Sequence, residues 1–327
     1  MAAPLPSLNA ENLLRTLKLR ALRVFNQVVA HGSTLKAAQV LNLTQPAVTK
    51  TIQELEQTLG IELFVRTNRG LVPTDYARIL ERRVKSLLAE IRYLADESNA
   101  FLTGDSGHVV VGTLISASAR LLPLAITLLE GVAPRIGLTI REGTNEQLYP
   151  LLAVGELDLI IGRVPDPSYS WIRDRLVSSE VLVEEALCVV VGRHHSLAGE
   201  VPVPLAELLT YRWIFPLAES PTRAVVERMF HRAGLPLPGR VIESLSLLTN
   251  LGLLLATDTV GILPAAAARE FARRGLLQIV PVREPLEFGP VGFSVRTGQP
   301  LTPAAQRLVD CLREAAAAIA GEAQSAL

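Results

Sequence analysis

Cysteine is scarce in this 327-residue chain: only Cys188 and Cys311, far apart in sequence. Two thiols cannot supply a disulfide framework or a Cys-rich metal site, and the expectation is two buried, reduced thiols. No stretch approaches the ~18 consecutive apolar residues of a membrane span. The start, Met1 to Asn12, lacks the basic-plus-apolar layout of a secretory leader, so a cytoplasmic location is expected and a secreted solute-binding protein is disfavoured. Neither charge sign dominates, with 32 Lys+Arg against 32 Asp+Glu. Catalytic words are missing too: no P-loop, no His-Glu-x-x-His, no Gly-x-Ser-x-Gly, and no Gly-x-Gly-x-x-Gly after a strand. His194-His195 has no Cys or carboxylate at ligand spacing, so it reads as surface loop. The chain is expected to be no enzyme and to hold no metal or cofactor.

What is present begins near residue 17. Leu19, Leu22, Phe25, Val28 and Val29 recur at helical steps and predict a helix over 17–30, which His31-Gly32 ends. Ser33 or Thr34 caps a second helix that turns Ala37, Ala38 and Leu41 inward, and Asn42-Leu43 makes a turn. Thr44 caps a third helix, with Pro46 in its first turn, where a missing N–H costs nothing. Val48, Ile52, Leu55 and Leu59 face the core, leaving Gln45, Thr49, Lys50 and Gln53 on the opposite side. A helix-turn-helix of this form sets its second element into the DNA major groove. Gln45 suits adenine or a phosphate, Thr49 and Lys50 suit phosphate, and Thr44, Pro46 and Gln53 complete the candidate DNA-binding residues of this helix. Residues 63–74 read as a short hairpin with Arg66 and Arg69 flanking its tip, placed for backbone or minor groove. A solvated helix face and an incidental surface hairpin are the bland alternatives. Local charge favours DNA: residues 1–73 carry eight Lys/Arg and four Asp/Glu in a chain that is neutral as a whole.

Residues 75–102 hold no Gly or Pro, and Tyr76, Leu80, Val84, Leu87, Ile91, Leu94, Ser98 and Phe101 make one near-heptad seam. That is a helix of about 40 Å whose seam needs a partner. Thr103 to Gly107 reads as a hinge. Beyond it, apolar runs at 108–113, 137–142, 157–161, 187–191, 213–215, 260–263, 277–280 and 292–295 read as strands. Amphipathic segments at 121–131, 146–154, 223–233, 245–256 and 265–273 read as helices, and the alternation predicts a largely parallel sheet covered on both faces. The ~220 residues after the hinge are many for one doubly wound unit and suggest two lobes. Ligands in such folds sit at strand carboxyl ends and helix starts. Ser116, Ala117, Thr144, Asn145, Arg163, Ser220 and Thr222 all follow expected strands and are the candidate ligand residues. For each Ser or Thr the bland alternative is an ordinary helix cap, and for Arg163 an ion pair with Asp166 or Asp158. Hydroxyls near helix starts with one arginine favour a small anionic or polyhydroxy ligand, such as an organic acid or sugar.

Taken together these words resemble the LysR-type transcriptional regulators. The head carries Ala37-Ala38, Thr44-Gln45-Pro46-Ala47-Val48-Thr49, Leu55-Glu56, Leu59-Gly60, Leu63-Phe64, Arg66 with Arg69, and Pro73-Thr74. The second half echoes the family more weakly, in Leu122-Pro123, Gly143-Thr144, Gly155-Glu156-Leu157-Asp158, His195-Ser196-Leu197-Ala198 and Val260-Gly261-Ile262-Leu263-Pro264. Ala77, Pro73 and Ser196 stand where the family usually has Gly, Leu and Pro. The resemblance implies a winged helix-turn-helix over 1–74, a linker helix over 75–104, and an effector-binding domain over 105–327. That domain would have a periplasmic-binding-protein-like α/β fold of two Rossmann-like lobes, one of about 108–180 plus 282–304, the other about 181–281. It further implies antiparallel pairing of linker helices through Leu80, Val84, Leu87, Ile91 and Leu94, in a homodimer or homotetramer. Such a regulator binds double-stranded DNA at an interrupted inverted repeat, responds to a small-molecule effector, and works with RNA polymerase. Some relatives use a redox-sensing cysteine pair. The rival readings are a solute-binding or transport protein and an enzyme with an attached DNA-binding head.

Overall fold

Short capped helices open this computed structural model, which describes residues 9–325 apart from 69, 104–105, 167–168, 198, 200, 219 and 285. Arg69, Gly104-Asp105 of the expected hinge, and Ala198 therefore lie outside the described residues. The chain divides into two compact units, Met1–Ala95 with Val154–Glu156, and Asp96–Ala153 with Leu157–Leu327.

The first unit begins with α1 (Ala10–Thr16), a helix the sequence reading did not anticipate, started by the Asn9 side chain accepting from the Asn12 N–H. α2 (Leu19–His31) stops at Gly32, whose φ of +59° is the left-handed cap that glycine allows. α3 (Thr34–Leu41) starts where the Ser33 hydroxyl accepts from the Lys36 N–H and ends at left-handed Asn42. α4 (Gln45–Leu59) is capped by Thr44 and has Pro46 in its first turn, as expected. β1 (Phe64–Thr67) and β2 (Gly70–Pro73) form the antiparallel wing. Leu22, Phe25, Val28, Ala37, Ala38, Val48, Ile52 and Leu55 bury together. The large ones contribute roughly 1.5–3 kcal/mol each.

The long helix α5 (Asp75–Thr103) corrects the expected seam. Ala77 and Val84 are fully buried in the head's own core, with Tyr76 and Leu80 packed against it. Val84, and Leu80 in part, are thus spent within the chain. The helical phase explains this, because a straight helix drifts about 20° per heptad. The apolar stripe left exposed runs through Ile79, Leu87, Ile91, Leu94 and Phe101.

The second unit is α/β. In chain order it comprises β3 (Ser106–Thr113), α6 (Ile115–Ser118), α7 (Leu121–Val132), β4 (Arg135–Glu142), α8 (Asn145–Ala153), β5 (Leu159–Arg163) and α9 (Ser170–Arg173). There follow β6 (Val177–Gly192), α10 (Leu205–Leu208), β7 (Arg212–Phe215), α11 (Pro221–Arg232), β8 (Val241–Glu243) and α12 (Leu247–Ala256). The chain closes with β9 (Thr259–Pro264), α13 (Ala265–Arg273), β10 (Leu277–Val280), β11 (Glu287–Arg296) and α14 (Pro303–Ser325). Every expected strand and helix has its counterpart. The sheet, however, is mixed rather than largely parallel. Its order is β4-β3-β5-β11-β6-β9-β7-β8, with β10 also on β6. β3 runs parallel to β4 and β5, and β7 to β8 and β9, whereas β6 and β11 are antiparallel to their partners.

β6 explains the two lobes. Its first part, from Val177, pairs with β11, and its last part, from Leu187 on, pairs with β9 and β10, so one strand passes from lobe to lobe. β11 brings the chain back. A Cβ at Gly292 would strike the Glu180 carbonyl, so glycine permits this close strand crossing. The buried Tyr149 hydroxyl lies 2.8 Å from Ser294 Oγ, which is 2.7 Å from Ser179 Oγ, tying α8 to both crossing strands. Burial pushes the Tyr149 phenol up to about 12. Buried Asp158 accepts from the Val110 N–H at 2.7 Å, locking β3 to the turn before β5. No described helix is long and apolar enough to cross a membrane.

Candidate functional site

Two surfaces carry the residues that the sequence singled out. On the head, Gln45, Pro46, Lys50 and Gln53 are exposed along α4, Thr49 is half-buried beside them, and Thr44 spends its hydroxyl on the cap. The Gln45 amide reaches Thr34 Oγ1 at 3.4 Å, a long bond that DNA can replace. Lys50 Nζ sits 3.8 Å from Glu54, and both side chains are largely exposed, so the ion pair is weak. Arg66 stands exposed on β1.

The wing is held by bonds that the sequence reading passed over. Glu56 accepts from the Leu63 N–H at 2.8 Å and the Phe64 N–H at 3.4 Å. Thr74 donates to the Glu62 carbonyl and accepts from the Ala77 N–H, joining β2 to α5. The Leu71 N–H donates to the Gly32 carbonyl at 3.0 Å, tying the wing to the end of α2. Glu56 and Thr74 lie in words quoted above, so their presence was readable and their partners were not.

In the second unit a cavity of about 370 Å³ opens between the lobes. Six of the seven candidates line it: Ser116, Thr144, Asn145, Arg163, Ser220 and Thr222. The seventh, Ala117, does not. Its side chain is fully buried and its N–H bonds the Leu114 carbonyl, because the one-turn α6 rotates it into the core. Glu142, Gln147, Leu245, Ser246 and Phe288 also line the cavity and were missed. Ser246 had a signal, an N-cap serine before an apolar run, and its hydroxyl accepts from the Thr249 N–H. Phe288 had none, since it reaches the cleft only by the β11 crossing.

The cap alternative fails for two of the hydroxyls. Thr144 precedes α8, yet its hydroxyl makes no hydrogen bond among the described residues; the Gln147 side chain takes the Thr144 N–H instead, at 3.0 Å. Ser220 precedes α11 without capping it through its side chain. Ser116 Oγ accepts from the Arg163 N–H at 2.9 Å, fastening α6 to β5. Asn145 is buried, and among the described residues its side-chain oxygen has no hydrogen-bond partner.

Arg163 is no surface ion pair. Its Nε donates to the Phe288 carbonyl at 2.8 Å, and its guanidinium lies 5.5 Å from the Phe288 ring centre. Burial lowers its pKa from the ordinary arginine value, with Tyr169 and Asp166 opposing and Arg228 reinforcing the shift. α6, α8, α11 and α12 all begin at this cavity. Helix starts carry partial positive charge and free N–H groups, so with Arg163 they outweigh the single exposed carboxylate of Glu142. Leu114, Ile115, Leu245 and Phe288 supply apolar walls. The arrangement can hold a small anion with a compact apolar part.

The other singled-out residues play local roles. His195 Nδ1 accepts from the Leu197 N–H and its ring packs 4.9 Å from Tyr211, while His194 accepts from Arg193. Cys311 is buried, but Cys188 is only half-buried, a correction to the expected pair, because it sits on the α13 side of β6 near Arg269.

Comparison with known proteins matches residues 19–78 to the bacterial regulatory helix-turn-helix protein model of the lysR family and residues 103–317 to the LysR substrate binding domain. The HTH-type transcriptional regulator GbpR of Azospirillum brasilense is 31% identical over 299 residues, covering 91% of this chain and 86% of that protein. The HTH-type transcriptional regulator PcaQ of Agrobacterium fabrum (strain C58) is 32% identical, covering 92% and 95%. The crystal structure of CbnR, a LysR family transcriptional regulator, superposes with a TM-score of 0.66 at 23% identity, covering 92% of this chain and 99% of that one. Full-length CbnR complexed with its target DNA gives the same score at 22% identity, covering 91% and 100%.

Proposed function

This chain belongs to the LysR family of helix-turn-helix transcriptional regulators, and from that premise we propose that its cleft takes a small organic anion whose binding alters DNA recognition by the head. The observation that carries the reading is the cleft itself: the starts of α8, α11 and α12, Arg163, and the hydroxyls of Thr144 and Ser220, neither of them hydrogen-bonded among the described residues, around about 370 Å³. Thr144, Arg163 and Thr222 come from both lobes, so a ligand touching all three favours one lobe arrangement over another. Apolar walls fit an organic acid better than a bare polyol.

DNA contact is assigned to Gln45, Thr49, Lys50 and Gln53 on α4 and to Arg66 on the wing; Arg69, expected to share this role, lies outside the described residues. Thr44 and Pro46 set the start of that helix. The regulator acts as a homodimer or higher oligomer through the exposed α5 stripe of Leu87, Ile91 and Leu94, with double-stranded DNA and RNA polymerase as its macromolecular partners. Lys50→Ala should weaken specific and random DNA alike and lower the salt slope by about one unit, the share of one phosphate contact. An unchanged slope refutes the contact. A thermal-shift screen of small organic acids and sugars against the full chain tests the ligand class. A shift by carboxylates that Thr144→Val abolishes supports it, and a shift by neutral sugars alone contradicts it.

A further inference from the structure

A second pocket, about 200 Å³, shares Arg163 and Phe288 with the cleft but takes its other wall from α11, through Arg228 and Arg232. These two arginines lie one turn apart on the exposed face of the helix. Val225 and Met229 are buried beside them at the pocket's inner edge, and Val226 and Phe230 are buried further round the helix, with Phe230 5.3 Å from Trp213, so the rotation of α11 is fixed by its core. The arginines are therefore held at the pocket mouth.

The charges around this pocket do not balance. Three guanidiniums meet one lining carboxylate, Glu287, which reaches Arg232 at 3.4 Å with both side chains well exposed. Among the described residues no carboxylate lies within salt-bridge distance of Arg163 or Arg228, although Asp166 acts on Arg163 from further away. Arg163 spends only Nε on the Phe288 carbonyl, and its Nη2 lies beside Gly289, which has no side chain to fill the space. Like charges gathered this way repel, and guanidinium forks match an oxyanion carrying several acceptors.

We propose that this pocket is a second ligand site, binding a phosphoryl group, as inorganic phosphate or on a small phosphate monoester, through Arg163, Arg228 and Arg232. It stands independently of what fills the cleft, and Arg163, facing both, couples the two sites.

Titration calorimetry of the full chain, at fixed ionic strength in chloride, with inorganic phosphate, glycerol phosphate or acetate, tests this. The chain is used as it is, as Arg228→Gln/Arg232→Gln, and as Thr144→Val. Phosphate or glycerol phosphate should bind near the millimolar range. Losing two charge-assisted partners should weaken that binding by about tenfold or more, while Thr144→Val stays within about twofold. The tighter of the two probes tells free phosphate from an ester. Binding untouched by the double substitution places the phosphate on the basic head and overturns the proposal. So does loss in Thr144→Val alone, acetate binding as tightly as phosphate, or no heat from either phosphate probe. Arg228 and Arg232 are exposed, so the double variant should keep the wild-type circular dichroism and melting temperature.

Discussion

Gly70→Ala probes how the wing is fixed to the helices. Gly70 opens β2 at φ +116°, a conformation an L side chain rarely adopts. A Cβ there would lie 2.8 Å from the Gly32 carbonyl oxygen, which is backbone and cannot swing aside. That same oxygen accepts from the Leu71 N–H at 3.0 Å. Forcing the backbone costs about 1–3 kcal/mol. Losing the hydrogen bond adds about 0.5–1.5 kcal/mol. The head should therefore lose roughly 2–4 kcal/mol, unless the hairpin lifts off α2 and caps the loss at its own smaller stability. Either route moves Arg66, so DNA affinity falls in both. Gly252→Ala is the control: it lies within α12, its Cβ meets nothing within 4 Å, and it should stabilise by about 0.5–1 kcal/mol. Chemical denaturation followed with a DNA-binding titration reads both quantities. If Gly70→Ala shifts neither the denaturation midpoint nor the affinity, the wing anchor is misassigned.

Leu87→Glu and Ile91→Glu place a charge on the exposed stripe of α5 without entering the head core, and should convert the oligomer to monomers in sedimentation while leaving the melting of the head unchanged. Val84→Glu, by contrast, buries a charge in that core and should unfold the head; a folded monomeric Val84→Glu would contradict the division of the helix into two stripes. Tyr149→Phe removes one hydroxyl from the Tyr149–Ser294–Ser179 chain and should cost about 1 kcal/mol, with α8 amide exchange rising most; uniform protection would show that the chain of hydroxyls does not hold α8.

The head was legible because its signals are local. Ser33, Thr44 and Gly32 are caps whose chemistry acts within one turn, and each appears where the sequence placed it. α5 was half legible: the heptad count found the helix, but only burial tells Val84, which meets the head core, from Leu87, which does not. The first part of β6 was missed because its burial alternates irregularly and includes Ser178, Ser179, Glu184 and Glu185. Without it the antiparallel crossing of β6 and β11 could not be seen, and the sheet read as parallel. The same gap hid Phe288, which enters the cleft from β11, whereas Thr144 and Arg163 follow strands of the regular βα pattern and were found. Ala117 failed for the opposite reason. It sits in the right loop, but a helix of one turn decides which side chain faces the cavity.

A ligand in the cleft should change what the head does to DNA. The most direct test is operator affinity measured with and without the small acid found by screening, for the wild-type chain, Thr144→Val and Arg163→Ala. The acid should shift wild-type affinity or footprint, and both variants should bind the operator as the wild type does without ligand but no longer respond. Normal response in both variants would contradict it.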